Sequence, residues 1–253
     1  MVIGTMYKHS SKFWEEKRSQ KYSINKRDKK DPTIIKNQNT ISHSILKSMP
    51  LHKEILVKEQ MELLLLIEEF AHDFVLVGGT AIALHVGHRQ SVDFDLFSYE
   101  ELDSQKIKRK ILRNSKIDRT YVSNDREYTM IVHNVKITFF NFPYKIKAPV
   151  RLNRVIRLPD LLTLGAMKAF ALGFRSKWKD YVDLYFIIKN YHSIDEISGR
   201  ADEMFKGEFN GRIFREALSY FKDINYNEKV IFMPGFDVPD AVVKRELTRF
   251  SIQ

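Results

Sequence analysis

At 253 residues with 43% hydrophobic content, the chain is long enough to bury one large core or two small ones. Cysteine is absent, which excludes a disulfide framework and any thiolate metal site. The polar opening MVIGTMYKHSSK and the lack of any 18-residue apolar run predict a soluble cytoplasmic protein with no membrane partner, while the net charge of +10 favours a polyanionic partner such as nucleic acid.

Residues 1–50 read as a basic N-terminal arm, with 10 Lys/Arg against 4 Asp/Glu in the first 36. Its run Lys26-Arg27-Asp28-Lys29-Lys30-Asp31-Pro32 reads as solvated, and Phe13 and Trp14 as points where part of the arm docks. From Leu51 to Phe70 apolar residues recur at helical spacing. A buried strand follows at Phe74–Val77, then the turn Gly78-Gly79-Thr80, a short helix, and a second strand at Val92–Phe97. A charged helix is expected over Tyr99–Arg113. Strands follow around Arg119–Ser123, Tyr128–Val132 and Val135–Phe142, with His133-Asn134 as the tight turn between the last two. After Pro149 the pattern turns to helices and loops, and Pro159-Asp160 opens a helix with Asp near its positive end. No internal repeat is found. The chain reads as an α+β fold. A small mixed β-sheet core flanked by helices spans 51–150, and a mostly helical domain spans 151–253.

The chemistry concentrates in Phe74–Phe97. Side chains alternate along a strand, so Asp93 and Asp95 share one face, about 7 Å apart, while Phe94 and Leu96 point into a core. Asp is disfavoured inside strands, so two of them on one face ask for another reason. Two carboxylates on one rigid element can grip Mg2+ or Mn2+, which prefers a few carboxylates plus phosphate oxygens. The Gly78-Gly79 turn exposes backbone N–H groups to those phosphates, although it also serves simply to join strand to helix. Thr80 either caps the helix or meets a phosphate with its hydroxyl. Together these parts indicate metal-dependent phosphoryl or nucleotidyl transfer. His85 and His88 read as structural, and Arg89 as a candidate contact to a triphosphate.

The block LVGGTAIALHVGHRQSVDFDLF (residues 76–97) resembles the AbiEii-type branch of the polymerase-beta-like nucleotidyltransferase superfamily, in which GG-[ST] precedes Asp-x-Asp by ten to thirteen residues. A second block, LLTLGAMKAFALGFRSKWKDYVDLYFII, resembles the family's helix lysine, basic loop and [KR]-D-x-x-D-L, matching Lys168, Arg175, Lys179, Asp180, Asp183 and Leu184. The resemblance runs from about Leu63 to Asp237 and leaves residues 1–50 uncovered. It implies an NTP-dependent nucleotidyltransferase with Asp93 and Asp95 as metal ligands and Gly78, Gly79, Thr80, Arg89 and Lys168 around the nucleotide. One of Asp180 and Asp183 would serve the active site. Against that stand plainer readings: Lys168 as a snorkelling helix-edge lysine, Asp180 as an N-cap, and Asp183 as a partner of Lys179 or Arg175. The pattern departs at Thr138, where many superfamily members place a third metal-binding carboxylate.

Lys145, Lys147, Arg151, Arg154 and Arg157 fall within thirteen residues that contain no acid. They form either a solvated linker or a track for an RNA backbone, with Tyr144 as a possible stacking ring. The resemblance points to transfer of NMP onto an RNA 3′ end, tRNA first, by a toxin of an abortive-infection or toxin–antitoxin system, with a cognate antitoxin as partner. The alternatives are transfer to a protein hydroxyl (NMPylation) and an inactive RNA- or partner-binding module.

Overall fold

A computed structural model describes residues 50–253, so the expected basic arm lies outside the described residues. The first apolar stretch is not one helix. A 3-10 turn at Lys53–Ile55 precedes two short helices, α1 (Lys58–Glu62) and α2 (Leu64–Glu68). Extended backbone at Leu56 and Val57 breaks the run, and the buried Gln60 turns its Oε1 back to accept the Val57 N–H at 3.2 Å.

Among the described residues the main sheet has five strands: β1 (Val75–Val77), β2 (Phe94–Ser98), β3 (Arg119–Ser123), β4 (Glu127–Val132) and β5 (Val135–Asn141), in the order β1-β2-β5-β4-β3. The β2–β5 pair is parallel and the others are antiparallel, so the sheet is mixed, as expected. His133 and Asn134 both take positive φ, 49° and 62°, the geometry of a type I′ hairpin turn. Phe94, Leu96, Ile137 and Phe139 are fully buried. Phe139 packs edge-on against Phe70 and Phe74, with centroids 4.7 and 5.1 Å away. The back of the sheet is therefore sealed by the segment that precedes β1.

Helix α3 (Gly78–Val86) leaves β1 directly, and Gly87 at φ 73° ends it in the left-handed cap that favours glycine. Helix α4 (Ser104–Ile111) is shorter than expected, because the Asp103 carboxylate accepts the Lys106 N–H and starts it there. The 145–157 stretch is not a plain linker. Its second half forms a small hairpin, β6 (Val150–Leu152) and β7 (Ile156–Leu158), and β7 packs beside β1. Asp160 then caps α5 (Leu161–Leu172) by accepting the Thr163 N–H at 2.8 Å. Helices α6 (Trp178–Asn190), α7 (Ile194–Phe205), α8 (Gly211–Ser219) and α9 (Asp240–Ser251) complete the helical half. Helix α5 packs on α6 and α7, and α6 reaches back to α3. The buried apolar residues form one continuous cluster through both halves.

Candidate active site

The open face of the sheet and the helical half enclose a cavity of about 380 Å³. Gly78, Gly79, Asp93, Asp95, Lys168 and Asp180 all line it, so the two sequence blocks meet there. Asp95 stands on β2, and Asp93 lies just before it, because the strand begins at Phe94 rather than Val92. Burial, and then the nearby Asp93 charge, push the Asp95 carboxyl above the usual carboxylate range. Two carboxylates held this close at the edge of a cavity suit a hard cation. Asp93 is paired with Lys136, a residue the sequence reading passed over although it shares a strand face with Thr138.

The glycine turn is tight for reasons that can be read atom by atom. Gly78 has φ 73°, and a Cβ there would collide with Asp95 Oδ2. A Cβ on Gly79 would come within 2.7 Å of Arg89 Nη2 and 3.0 Å of Ser91 Oγ. Thr80 requires correction. Its buried hydroxyl neither caps α3, whose N-cap is Val77, nor faces the cavity. It lies 3.0 Å from Ser91 Oγ and donates to the Asp93 carbonyl, which ties the helix start to the carboxylate loop.

One wall of the cavity is a buried ion network of Arg89, Lys168, Arg175 and Asp180, with Asp183 and His88 behind it. Arg89, expected near a triphosphate, does line the cavity, but it is only 1% exposed and its donors go to Asp183: Nε donates to Oδ1 at 2.7 Å and Nη2 to Oδ2 at 2.9 Å. Its Nη1 donates to the Gln90 carbonyl at 2.9 Å. His88 Nε2 lies 2.9 Å from Asp183 Oδ1, and Lys168 Nζ lies 3.1 Å from Oδ2. Burial raises the Asp183 pKa, but Arg89 and Lys168 outweigh it and hold the carboxyl well below its ordinary range. Asp180 is not an N-cap, because Lys177 occupies that position of α6. Its carboxylate takes Lys168 on one side and Arg175 Nε, at 2.9 Å, on the other. Lys168 is thus clamped between two aspartates rather than snorkelling. The strand of chain at 231–233 pins this corner: Gln90 N–H donates to the Ile231 carbonyl and Met233 N–H to the His88 carbonyl.

Residues 63–236 match the family described as the nucleotidyl transferase AbiEii toxin of type IV toxin–antitoxin systems. The chain belongs to the AbiEii nucleotidyltransferase family. An uncharacterised protein of Aquifex aeolicus is 28% identical over 202 residues, covering 77% of this chain and 97% of its own. Among solved structures, a proposed nucleotidyltransferase from Helicobacter pylori is similar over 84% of this chain and 95% of its own, at 16% identity and a TM-score of 0.47. The nucleotidyltransferase toxin MenT4 from Mycobacterium tuberculosis is similar over 77% and 82%, at 13% identity and a TM-score of 0.49.

Of the other residues of this AbiEii-family cavity, Lys179 and Thr138 were marked by the sequence, whereas Lys177 and Glu228 were not. Lys177 and Lys179 line it and both contact Glu228, at 2.5 and 3.4 Å. Burial raises the Glu228 pKa, but hydrogen bonding and charge from Lys177, with help from Lys179, bring it down to about 2. Thr138 sits beside Asp95 in register, with no carboxylate of its own. The basic segment 145–157 stands apart from the cavity. Lys145, Lys147, Arg151, Arg154 and Arg157 are exposed and none of them lines it. Lys145 lies over the Tyr99 ring, and Tyr144 packs on Phe142 and Phe205 rather than standing free to stack a base. His85 is structural as expected, with Nε2 2.9 Å from the Pro159 carbonyl.

Proposed function

We propose that this nucleotidyltransferase moves NMP from an NTP to an acceptor hydroxyl in a reaction that depends on Mg2+ or Mn2+. The observation that carries this reading is the placement of Asp93 and Asp95 beside a glycine turn, at a cavity also lined by Lys168, Arg175, Lys177 and Lys179. The donor set fits a hard divalent ion, because Asp93 and Asp95 bring two carboxylates to one cavity beside the glycine turn. Asp93 and Asp95 would hold the ion, with Lys136 giving up its pairing to Asp93. When bound, the ion supplies charge neutralisation at the reacting phosphate.

The chain's own residues do the rest. The acceptor hydroxyl gives its proton to solvent as its oxygen forms a bond to the α-phosphorus, the bond from that phosphorus to the bridging oxygen breaks, and pyrophosphate leaves. Gly78 and Gly79 would offer their backbone amides to the triphosphate, and their missing side chains leave room for Asp95, Arg89 and Ser91 to pack against the turn. The cations of the cavity offset charge on the leaving pyrophosphate; positioning and electrostatics of this kind account for most of the rate gain in such chemistry. Asp180 lines the cavity and holds Lys168 and Arg175 toward it, whereas Asp183 acts from behind as a positioning residue.

The acceptor in this reading is an RNA 3′ end, tRNA first, drawn by the net charge of +10 and the exposed basic segment 145–157. A toxin role in the cytoplasm with a cognate antitoxin agrees with the family description, and among the described residues no helix is long and apolar enough to cross a membrane. Residues 51–150 would form the catalytic core and 151–253 the helical domain that closes the cavity. Thr138 favours one second reading, a module that binds RNA or a partner without catalysis. Incubation with each α-labelled triphosphate, Mg2+, total RNA and cell lysate separates the possibilities. Label in RNA supports the proposal, label in a protein redirects it to protein NMPylation, and no transfer with no metal-dependent nucleotide binding favours the inactive module.

A further inference from the structure

We propose that Lys136 binds a phosphate of the nucleotide and, by pairing with Asp93 until that phosphate arrives, makes cation binding at Asp93 depend on the nucleotide. The inference rests on the nucleotidyl-transfer reading above. Strand register explains why this lysine meets that aspartate. β2 and β5 run parallel, with Asp95 beside Thr138. Asp93 and Lys136 each lie two residues earlier, so they share the same sheet face and fall side by side. The Lys136 ammonium makes an ion pair with Asp93 Oδ2, and both residues line the cavity. β1 and β5 flank β2. The glycine turn after β1 and Lys136 on β5 therefore stand on opposite sides of the two aspartates, about 10 Å apart by two strand spacings. A triphosphate held at the turn and lying over the aspartates comes within reach of the lysine side chain.

The other cavity cations have different partners. Lys168 and Arg175 pair with Asp180, Lys177 and Lys179 with Glu228, and Arg89 with Asp183. Among the described residues, Lys136 is the cavity cation whose partner is a proposed metal ligand. An ammonium and a divalent ion compete for that oxygen. The pair is suited to exchange, because the Lys136 and Asp93 side chains are 33% and 30% exposed and so partly screened by water. The fully buried Arg89–Asp183 pair is not. Lysine carries a compact charge on a flexible stem, so it can swing from Asp93 to a phosphate oxygen without a fixed geometry.

The competition has a consequence for binding order. Without a triphosphate, a cation taken up by Asp93 leaves the displaced ammonium beside a second positive charge. With one, Lys136 moves to a phosphate oxygen and Asp93 is released to the cation. Thr138, beside Asp95 in register, adds no charge, so phosphate oxygens also complete the anionic set. Cation and nucleotide thus strengthen each other's binding, and linkage makes the effect mutual.

The test measures Mn2+ binding to the full chain without nucleotide, from the paramagnetic resonance signal of the free ion, for the parent, Lys136→Met, Lys136→Gln and Lys179→Met. Equilibrium dialysis of each α-labelled triphosphate, in Mn2+ and in EDTA, then gives the metal's enhancement of nucleotide affinity. The Lys136 variants should bind Mn2+ on the order of tenfold tighter than the parent, within the usual range of coupling between sites. Their metal enhancement of nucleotide affinity should shrink by a similar factor. Lys179→Met removes an equal charge from the cavity without touching Asp93, and should move Mn2+ affinity far less. Lys136→Gln serves if Lys136→Met does not fold. Equal Mn2+ affinity in the parent and the folded Lys136 variants would overturn the inference, as would an equal gain in Lys179→Met. If the parent binds no triphosphate, or binds it with no response to Mn2+, the nucleotidyl-transfer reading itself fails, and this one with it.

Discussion

Two pairs of aspartates stand at the cavity or just behind it and are treated in opposite ways. Asp180 and Asp183 are buried among the cations Arg89, Lys168 and Arg175, and the His88 ring, whose pKa burial lowers, also contacts Asp183. Asp93 and Asp95 both line the cavity, Lys136 makes its ion pair with Asp93, and the Asp95 carboxyl is pushed up by burial and by its neighbour. The first pair is neutralised and contributes order. The second is left short of positive charge, the electrostatic condition of a site built to receive a cation rather than to hold the fold.

The largest effect should come from breaking the neutralised pair. Asp183→Ala leaves Arg89, Lys168 and His88 buried around a missing charge, and removal of one partner from such a network costs about 3–5 kcal/mol. Urea unfolding should show that loss, or the variant should fail to accumulate as folded protein. A denaturation midpoint near the parent's would mean that Asp183 is not the hub described.

The next contrast is Asp95→Asn, which should do the reverse. Activity should fall by about 10²-fold or more, because a proposed metal ligand is gone. Stability without metal should rise at neutral pH. A group whose folded pKa is raised contributes stability below its unfolded pKa and loses it as pH rises through the folded value, so the charged form is a liability that asparagine removes. A lower melting temperature for Asp95→Asn in a metal-free buffer would contradict this.

A smaller effect is expected for the exposed basic segment. Changing Arg151, Arg154 and Arg157 to Gln should reduce the slope of log K against log salt for RNA binding by about two units, if three phosphate contacts disappear. An unchanged slope would place any RNA elsewhere. Smaller still is the pH response of Glu228. Its pKa is lowered from 4.5 to about 2, so its contribution is full above about pH 4.5 and disappears as pH falls through about 2. The melting-temperature difference between the parent and Glu228→Gln should shrink across that interval. Because the side chain is 44% exposed, salt should shrink it too.

These contrasts also explain what could be read from residues alone. The period of two placed Phe94 and Leu96 in the core and Asp95 on the open face, and His133-Asn134 announced its turn through residues that tolerate positive φ. Local rules suffice there because strand alternation and turn chemistry are set by neighbouring residues, even though Phe94 and Leu96 meet Ile137 and Phe139 far along the chain. Arg89 defeated them because its partner Asp183 is 94 positions away. An arginine beside a candidate phosphate site carries no local sign that its donors are already occupied. The same holds for Thr80, whose hydroxyl is taken by the loop carrying Asp93, and for Glu228, which meets Lys177 only through the chain's return path. The helical spacing of Leu51–Phe70 was misleading for another reason. The back of the sheet needs apolar cover, and two short helices broken at Leu63 supply it with the same residue pattern as one long helix.

The most direct test of the proposed cation site is a calorimetric titration of nucleotide, with and without Mg2+, on the parent and on Asp95→Asn. The parent should bind the triphosphate in a metal-dependent manner, and Asp95→Asn should lose the metal dependence while remaining folded. Equal, metal-independent binding by both proteins would contradict the assignment of Asp93 and Asp95 as the place where metal and nucleotide meet.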